Sequence, residues 1–254
     1  MVTGDDLRAR RAHSFGAHAS AYAEHRPDYP IEAIRWALEP LGEGPHHVVD
    51  LAAGTGKLTG GLLAEGHQVT AVEPDEGMLS ELVRRHGPAR ALPGSAERIP
   101  VPDGTVDAVL VGQAFHWFDP ERALPEIARV LRPGGVVAAM WNGDDVTVPW
   151  VAEFGEVSTS SVSVKDLHGD WMPTHELFTV PTERLFKHTH RRTAESLVAT
   201  INTHSHVLVI SEDERDELNA RMLAFLKSRP ETAEGEFDYP LMTLVKRMVC
   251  TKTA

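Results

Sequence analysis

The sequence predicts an α/β protein built on a doubly wound, mostly parallel sheet, and three observations predict it. Between residues 31 and 141, short apolar runs alternate with amphipathic stretches. The first run leads directly into a turn rich in Gly and Ala, Ala52-Ala53-Gly54-Thr55-Gly56. The second ends at an acidic residue, Glu73, seventeen residues beyond Gly56. Continuous apolar runs suit strands buried on both faces, as in a parallel sheet covered by helices.

Taken in order, residues 1–14 are polar and Arg-rich and carry no strong element signal. A short helix is predicted over 17–24, ended by Arg26-Pro27, and a second over 31–38, opened by Asp28-Tyr29-Pro30. Strands follow at 48–51, 69–72, 89–92, 106–111 and 136–141, with helices at 57–65, 76–85 and 121–131 between them. The last helix is well marked. Asp119 suits its N-cap, Pro120 its first turn, and Leu124, Ile127, Ala128 and Leu131 form one apolar stripe. Arg132-Pro133-Gly134-Gly135 reads as its stop. Beyond Trp141 the pattern changes to helices at 149–160, 194–203 and 212–227 and strands at 183–191 and 237–249. The expectation is one domain over 1–254: an N-terminal helical lid in 1–40, a core in 45–142, and late strands carrying a helical insertion in 143–254. The sheet would have seven strands, the C-terminal one antiparallel. No internal repeat or low-complexity tract interrupts it.

Composition narrows the partners. A formal net charge of −12 disfavours broad attraction to nucleic acid or anionic membranes, and the basic stretches 8–11 and 187–192 read as solvated faces. The lone Cys250 excludes an intrachain disulfide and fits a reducing compartment. The first thirty residues hold no apolar run resembling a signal peptide, and no segment approaches membrane-spanning length. A cytoplasmic protein, monomer or homodimer, is expected.

A strand, a tight glycine loop, a helix, a second strand and a carboxylate suit an adenosine cofactor, with the loop backbone under the ligand and the carboxylate at the ribose. Dinucleotides and S-adenosylmethionine both use this geometry. A dinucleotide loop of the form G-x-G-x-x-G would want glycine where Thr59 stands. No Tyr precedes a Lys by four residues, and G-x-x-x-x-G-K-[ST] is absent despite Lys57. The D-x-x-x-G-x-G form from Asp50 to Gly56 suits a ligand without a pyrophosphate. An NAD(P)-dependent oxidoreductase is the weaker alternative, and a non-catalytic S-adenosylmethionine-binding module is another.

Six segments then occur in order: Phe15…Tyr22…Arg26-Pro27…Tyr29-Pro30; Asp50-Leu51-Ala52-Ala53-Gly54-Thr55-Gly56; Glu73-Pro74…Met78; Gly94-Ser95-Ala96-Glu97…Pro100; Gln113-Ala114-Phe115-His116-Trp117-Phe118-Asp119; and Leu131-Arg132-Pro133-Gly134-Gly135. Together they resemble the class I S-adenosylmethionine-dependent methyltransferases of the type 11 kind, in the small-molecule branch similar to trans-aconitate methyltransferase. The resemblance implies a Rossmann-like sheet and a set of roles. Asp50 and the backbone from Ala52 through Gly54 to Gly56 would hold the methionine end of S-adenosylmethionine. Glu73 would take the ribose hydroxyls, Pro74 and Met78 would pack the adenine, and Ala96 would meet its edge, with Ser95, Glu97 and Gln113 alongside. Ser95 stands where many relatives carry Asp. Ala52 replaces the usual first glycine, which a turn without positive φ tolerates. Tyr22 and Arg26 would belong to a segment over the cofactor, Arg26 pairing with its carboxylate.

His116 follows the fourth strand, where ligands of such sheets bind, and an imidazole there can take a proton from an acceptor. The alternative is a histidine wedged between Phe115 and Trp117. Trp117, Trp141 and Asn142 are expected at a small-molecule acceptor, with Trp150, Trp171 and the histidines near 204 as further candidates. O-methylation of a carboxylate or hydroxyl is favoured over N-methylation. His188-Thr189-His190 and His204-Ser205-His206 have spacings a metal can use, but no Cys or acidic cluster completes them, so no metal is expected.

Overall fold

The computed structural model describes residues 19–87, 89–162 and 172–253, without the side chains of Ala21, Tyr22 and Ser205. Residues 1–14, Phe15 and Trp171 lie outside the described residues, as does the side chain of Tyr22. Seven strands form one sheet: β1 (His47–Leu51), β2 (Gln68–Glu73), β3 (Arg90–Pro93), β4 (Val106–Gly112), β5 (Leu131–Asp144), β6 (Thr182–Arg192) and β7 (Phe237–Val249). Their order is β3-β2-β1-β4-β5-β7-β6; the first five are parallel and the C-terminal strands antiparallel. The predicted fold class holds. The strand order reverses between β1 and β4, which lie side by side with Asp50 opposite Leu110. Such a switch point opens a place for ligands at the carboxyl ends of the strands.

The described residues form two compact units. The first holds 28–142, 172–186 and 243–253; the second holds 19–27, 143–162 and 187–242. In the first, α2 (Ile31–Leu38) precedes β1, and α3 (Lys57–Ala64), α4 (Glu76–Arg85) and α5 (Pro120–Val130) follow β1, β2 and β4. Strand alternation divides its core into two layers. Val49, Leu51, Val109 and Val111 pack with Leu124 and Ile127 of α5, whereas Val48, Ala108 and Leu110 pack with Ile34 of α2 and Leu58 and Leu62 of α3. Asp50 shares the face of Val48 and is therefore aimed into an apolar layer.

The second unit carries α1 (Ala19–His25), α6 (Pro149–Val157), α7 (Ala194–Asn202), the single turn α8 (Ser205–Leu208) and α9 (Glu212–Lys227). It has its own core: Val151 and Phe154, Leu197 and Ile201, Leu218 and Met222, with Phe237, Tyr239 and Leu241. Thr193 and Ser196 form a reciprocal capping box on α7. No helix among the described residues is long and apolar enough to cross a membrane.

Two of the boundaries that differ from expectation have a visible cause. Residues 132–135, expected as a loop, belong to β5, because Gly134 N donates to the Cys250 carbonyl and Cys250 N to that of Gly135. The chain takes φ +75° at Gly134 to continue there. Helix α6 stops at Val157 rather than 160, where the Ser158 and Thr159 hydroxyls donate to the Gly155 and Glu156 carbonyls.

Candidate functional site

The turn after β1 is set by three positive φ values: +54° at Ala52, +56° at Gly54 and +88° at Gly56, which is the left-handed N-cap of α3. The expectation that position 52 needs no positive φ is overturned. Ala52 occupies a region that costs an L-residue about 1–2 kcal/mol, which the surrounding bonds must hold. Ala53 N donates to the Val72 carbonyl at 3.1 Å and Gly56 N to that of Ala53 at 2.9 Å.

Glu73 ends β2 and is 7% exposed. Its Oε2 accepts from Gly54 N at 2.9 Å and its Oε1 from Asp75 N at 2.9 Å, so the carboxylate staples the glycine turn to the end of the neighbouring strand. Burial pushes its pKa up, against the pull of the two amides. A carboxylate has about four acceptor positions, so it can take further donors without releasing the loop.

Asp50 is fully buried. Its Oδ2 accepts from Thr59 Oγ1 at 2.6 Å, and its Oδ1 has no hydrogen-bond partner. Burial pushes this carboxyl up to about 7; the Thr59 bond opposes the shift and the Glu73 charge adds to it. The Thr55 hydroxyl, 2% exposed, also lacks a partner. Two oxygens without partners, one at the end of β1 and one on the turn after it, are rare in a protein interior and mark capacity for a ligand.

The other candidates fall as follows. Pro74 is exposed and Met78 buried; Met78 N is capped by Asp75 Oδ1 at 2.9 Å. Ser95 and Arg98 exchange backbone bonds around buried Ala96, and Glu97 Oε1 accepts from Asp119 N at 3.3 Å. Gln113 follows β4 at φ +57°, a second strained non-glycine residue; its N donates to the Met140 carbonyl and its Nε2 to that of Asn142. His116 and Trp117 sit half-buried on a 3-10 turn with ring centroids 4.8 Å apart, while Phe115 and Phe118 anchor that turn in the core. Trp141 is buried in the same core. The Asn142 amide is engaged internally: Nδ2 donates to the Asp28 carbonyl at 3.2 Å, and Oδ1 accepts from Thr243 Oγ1 at 2.6 Å.

The structure thus joins Asp50, Gly54 and Glu73 through one loop, and Gln113 with Asn142. Arg26 and Tyr22 belong to the second unit, where Arg26 Nη2 donates to the Thr203 carbonyl at 3.1 Å. His204 there is held well below the ordinary imidazole value by burial, then by Arg26 and His206. Burial also lowers His188, and His190 Nδ1 lies 3.1 Å from Arg192 Nη2. No group of three or more His, Cys, Asp or Glu among the described residues is arranged to hold a metal. Sequence reasoning missed the Thr55 and Thr59 hydroxyls and His86, whose ring lies against Gly56 and Gly60. The glycines spaced four apart were the available signal, since that spacing places both on one helix face.

Residues 49–139 match the family described as methyltransferase domain. An uncharacterized methyltransferase of Mycobacterium tuberculosis is 40% identical over 222 residues, covering 87% of this chain and 89% of its own. A malonyl-[acyl-carrier protein] O-methyltransferase of Methylococcus capsulatus is 32% identical over 145 residues, 53% of this chain and 52% of its own. A solved structure from Anaeromyxobacter dehalogenans, 24% identical, covers 89% of this chain and 97% of its own with a TM-score of 0.59; that likeness speaks to the fold alone.

Proposed function

The chain belongs to the class I S-adenosylmethionine-dependent methyltransferases, and on that premise we propose that it binds S-adenosylmethionine at the turn of residues 52–56 and methylates an oxygen of a small organic acceptor. The residues present fit that cofactor. The open Oδ1 of Asp50 and the unpartnered Thr55 hydroxyl suit a ligand end that carries positive charge and hydrogen-bond donors. The observation that carries the reading is Glu73: a buried carboxylate fixed by Gly54 and Asp75, with acceptor capacity left for two ribose hydroxyls. Pro74, Met78 and Ala96 would take the adenine, with Ser95, Glu97 and Gln113 beside them. The roles of Tyr22 and Arg26 rest on the resemblance alone.

The bound cofactor supplies a methyl carbon made electrophilic by its sulfonium. The protein's own part is to orient the acceptor, exclude water and hold its proton. His116, on the turn after β4, would receive that proton, and Trp117 and Trp141 would give the acceptor an apolar wall. Oxygen is favoured as the acceptor atom because the Methylococcus relative is named an O-methyltransferase. The net charge of −12 supports a small molecule rather than nucleic acid, and the buried free thiol of Cys250 supports a cytoplasmic setting. The rival oxidoreductase reading meets Thr59 at the third glycine position, with its hydroxyl committed to Asp50.

Screening small carboxylic acids, phenols and amines for release of S-adenosylhomocysteine tests the proposal. Release with an acid or hydroxyl acceptor is expected. Cofactor binding by calorimetry without turnover on any acceptor would favour a non-catalytic binding module, and binding of NAD in place of S-adenosylmethionine would overturn the reading.

A further inference from the structure

His86 caps the C-terminus of α4, with its own backbone fixed by bonds from His86 N to the Leu82 carbonyl and from Ala89 N to the His86 carbonyl. Its imidazole lies against the start of α3. A Cβ at Gly56 would stand 2.5 Å from His86 Cδ2 and 3.0 Å from Leu82 Cγ, and one at Gly60 would stand 2.9 Å from His86 Cε1. Both separations to the ring are shorter than real Cβ atoms allow, so the ring occupies the room that two side chains would need. Gly56 is where the loop becomes helix, at φ +88°, and Gly60 N donates to the Gly56 carbonyl at 2.9 Å. The ring therefore bears on the one hydrogen-bonded turn that joins the loop to α3. On the other side of that loop, Gly54 N is held by Glu73.

We propose that His86 is a positioning residue for the cofactor loop, its neutral ring holding Gly56 and Gly60 so that the loop amides keep the geometry the cofactor needs. The proposal rests on the assignment of residues 52–56 to S-adenosylmethionine. The charges facing the ring are Arg85 on its own helix and the ion pair of Lys57 with Asp28 at 3.1 Å. Burial first, then Arg85 and Lys57, lower the His86 pKa, against Asp28 and a bond to the Gly56 carbonyl. The neutral form is therefore the packed one. Its advantage is complete above the ordinary imidazole value of about 6.5 and is lost as the pH falls below it.

The test compares wild type, His86→Ala and His86→Phe, the last keeping a flat ring that does not titrate. S-adenosylhomocysteine binding is measured by calorimetry, and amide exchange across 53–60 is measured without ligand. His86→Ala is expected to weaken binding about tenfold at about pH 8 and to speed exchange at Gly54 and Gly56 but not in β4 or β5. His86→Phe is expected to restore both at that pH, and the wild type to lose affinity relative to His86→Phe as the pH drops towards about 5.5. Unchanged exchange and affinity in His86→Ala, or no rescue by His86→Phe, would overturn the proposal. Wild type that binds no S-adenosylhomocysteine overturns the cofactor assignment instead, and the ligand-free exchange comparison still decides whether His86 positions the loop.

Discussion

The two units of this chain differ in where their open buried oxygens sit. In the unit of residues 19–27, 143–162 and 187–242, several buried polar side chains are bonded internally. Asp145 holds Lys187 and Thr147, Arg192 and Thr200 bond the His25 carbonyl, Thr203 bonds that of Thr200, and Thr232 that of Leu226. Side-chain oxygens left open there include those of Asn202 and Asn219, on two different helices. In the unit of residues 28–142, 172–186 and 243–253, the open oxygens of Asp50, at the end of β1, and of Thr55, on the strained turn that follows, are five residues apart beside a buried carboxylate. A polar group that is satisfied stabilises a fold. One held open at a backbone turn lowers stability and leaves capacity for a ligand.

Four substitutions break or sharpen this contrast. The largest effect belongs to the unit without the glycine turn: Phe154→Ala, which empties a fully buried aromatic site, should lower unfolding stability by about 3–5 kcal/mol in denaturant titrations. If binding capacity resides in the other unit, cofactor affinity measured well below the transition should stay within about twofold. Loss of affinity matching the loss of stability would erase the distinction.

Asp50→Asn should act in the reverse sense. With a folded pKa raised to about 7 from 3.8, Asp50 favours the folded state only when protonated, so its ionisation penalty is present above neutral pH and fades as the pH falls through 7 towards 4. The ligand-free variant should therefore be more stable than wild type by about 2–4 kcal/mol at high pH, with the gap closing in acid, while cofactor binding weakens. Melting curves at several pH values read this directly, and a variant less stable at every pH would contradict the account.

Glu73→Ala should weaken S-adenosylhomocysteine binding by about 1.5–3 kcal/mol or more, since a charged acceptor and the staple on Gly54 go together. Unchanged affinity by calorimetry would sink its assignment to the ribose. The smallest effect is that of Ala52→Gly, which relieves positive φ at the cost of a more flexible unfolded chain; a gain of at most about 1 kcal/mol is expected. A loss would mean that the Ala52 methyl packs more than it strains.

Legibility followed another divide, between signals local to an element and contacts between distant ones. The capped helix at Pro120–Val130, the helix at Glu212–Lys227 and the final strand at Phe237–Val249 were readable from periodicity and capping, because their signals lie within the elements themselves. The four-residue helix Ser205–Leu208 is too short to show a period. The pairing of Arg26 with the Thr203 carbonyl spans 177 positions and has no local trace. Asn142 looked available to an acceptor, but its amide is divided between Asp28 and Thr243, the latter 101 positions away.

The sequence by itself determined the layered α/β architecture, the glycine turn and the carboxylate that follows it. These depend on strand, turn and helix signals within about 25 contiguous residues, where spacing along the chain fixes spacing in space. Only the tertiary structure decided how the turn is held: positive φ at Ala52, the Glu73 carboxylate on Gly54, and the His86 ring over Gly56 and Gly60. The last two are contacts between neighbouring elements. A side chain's reach across such a gap is set by helix and strand packing, which no local pattern encodes.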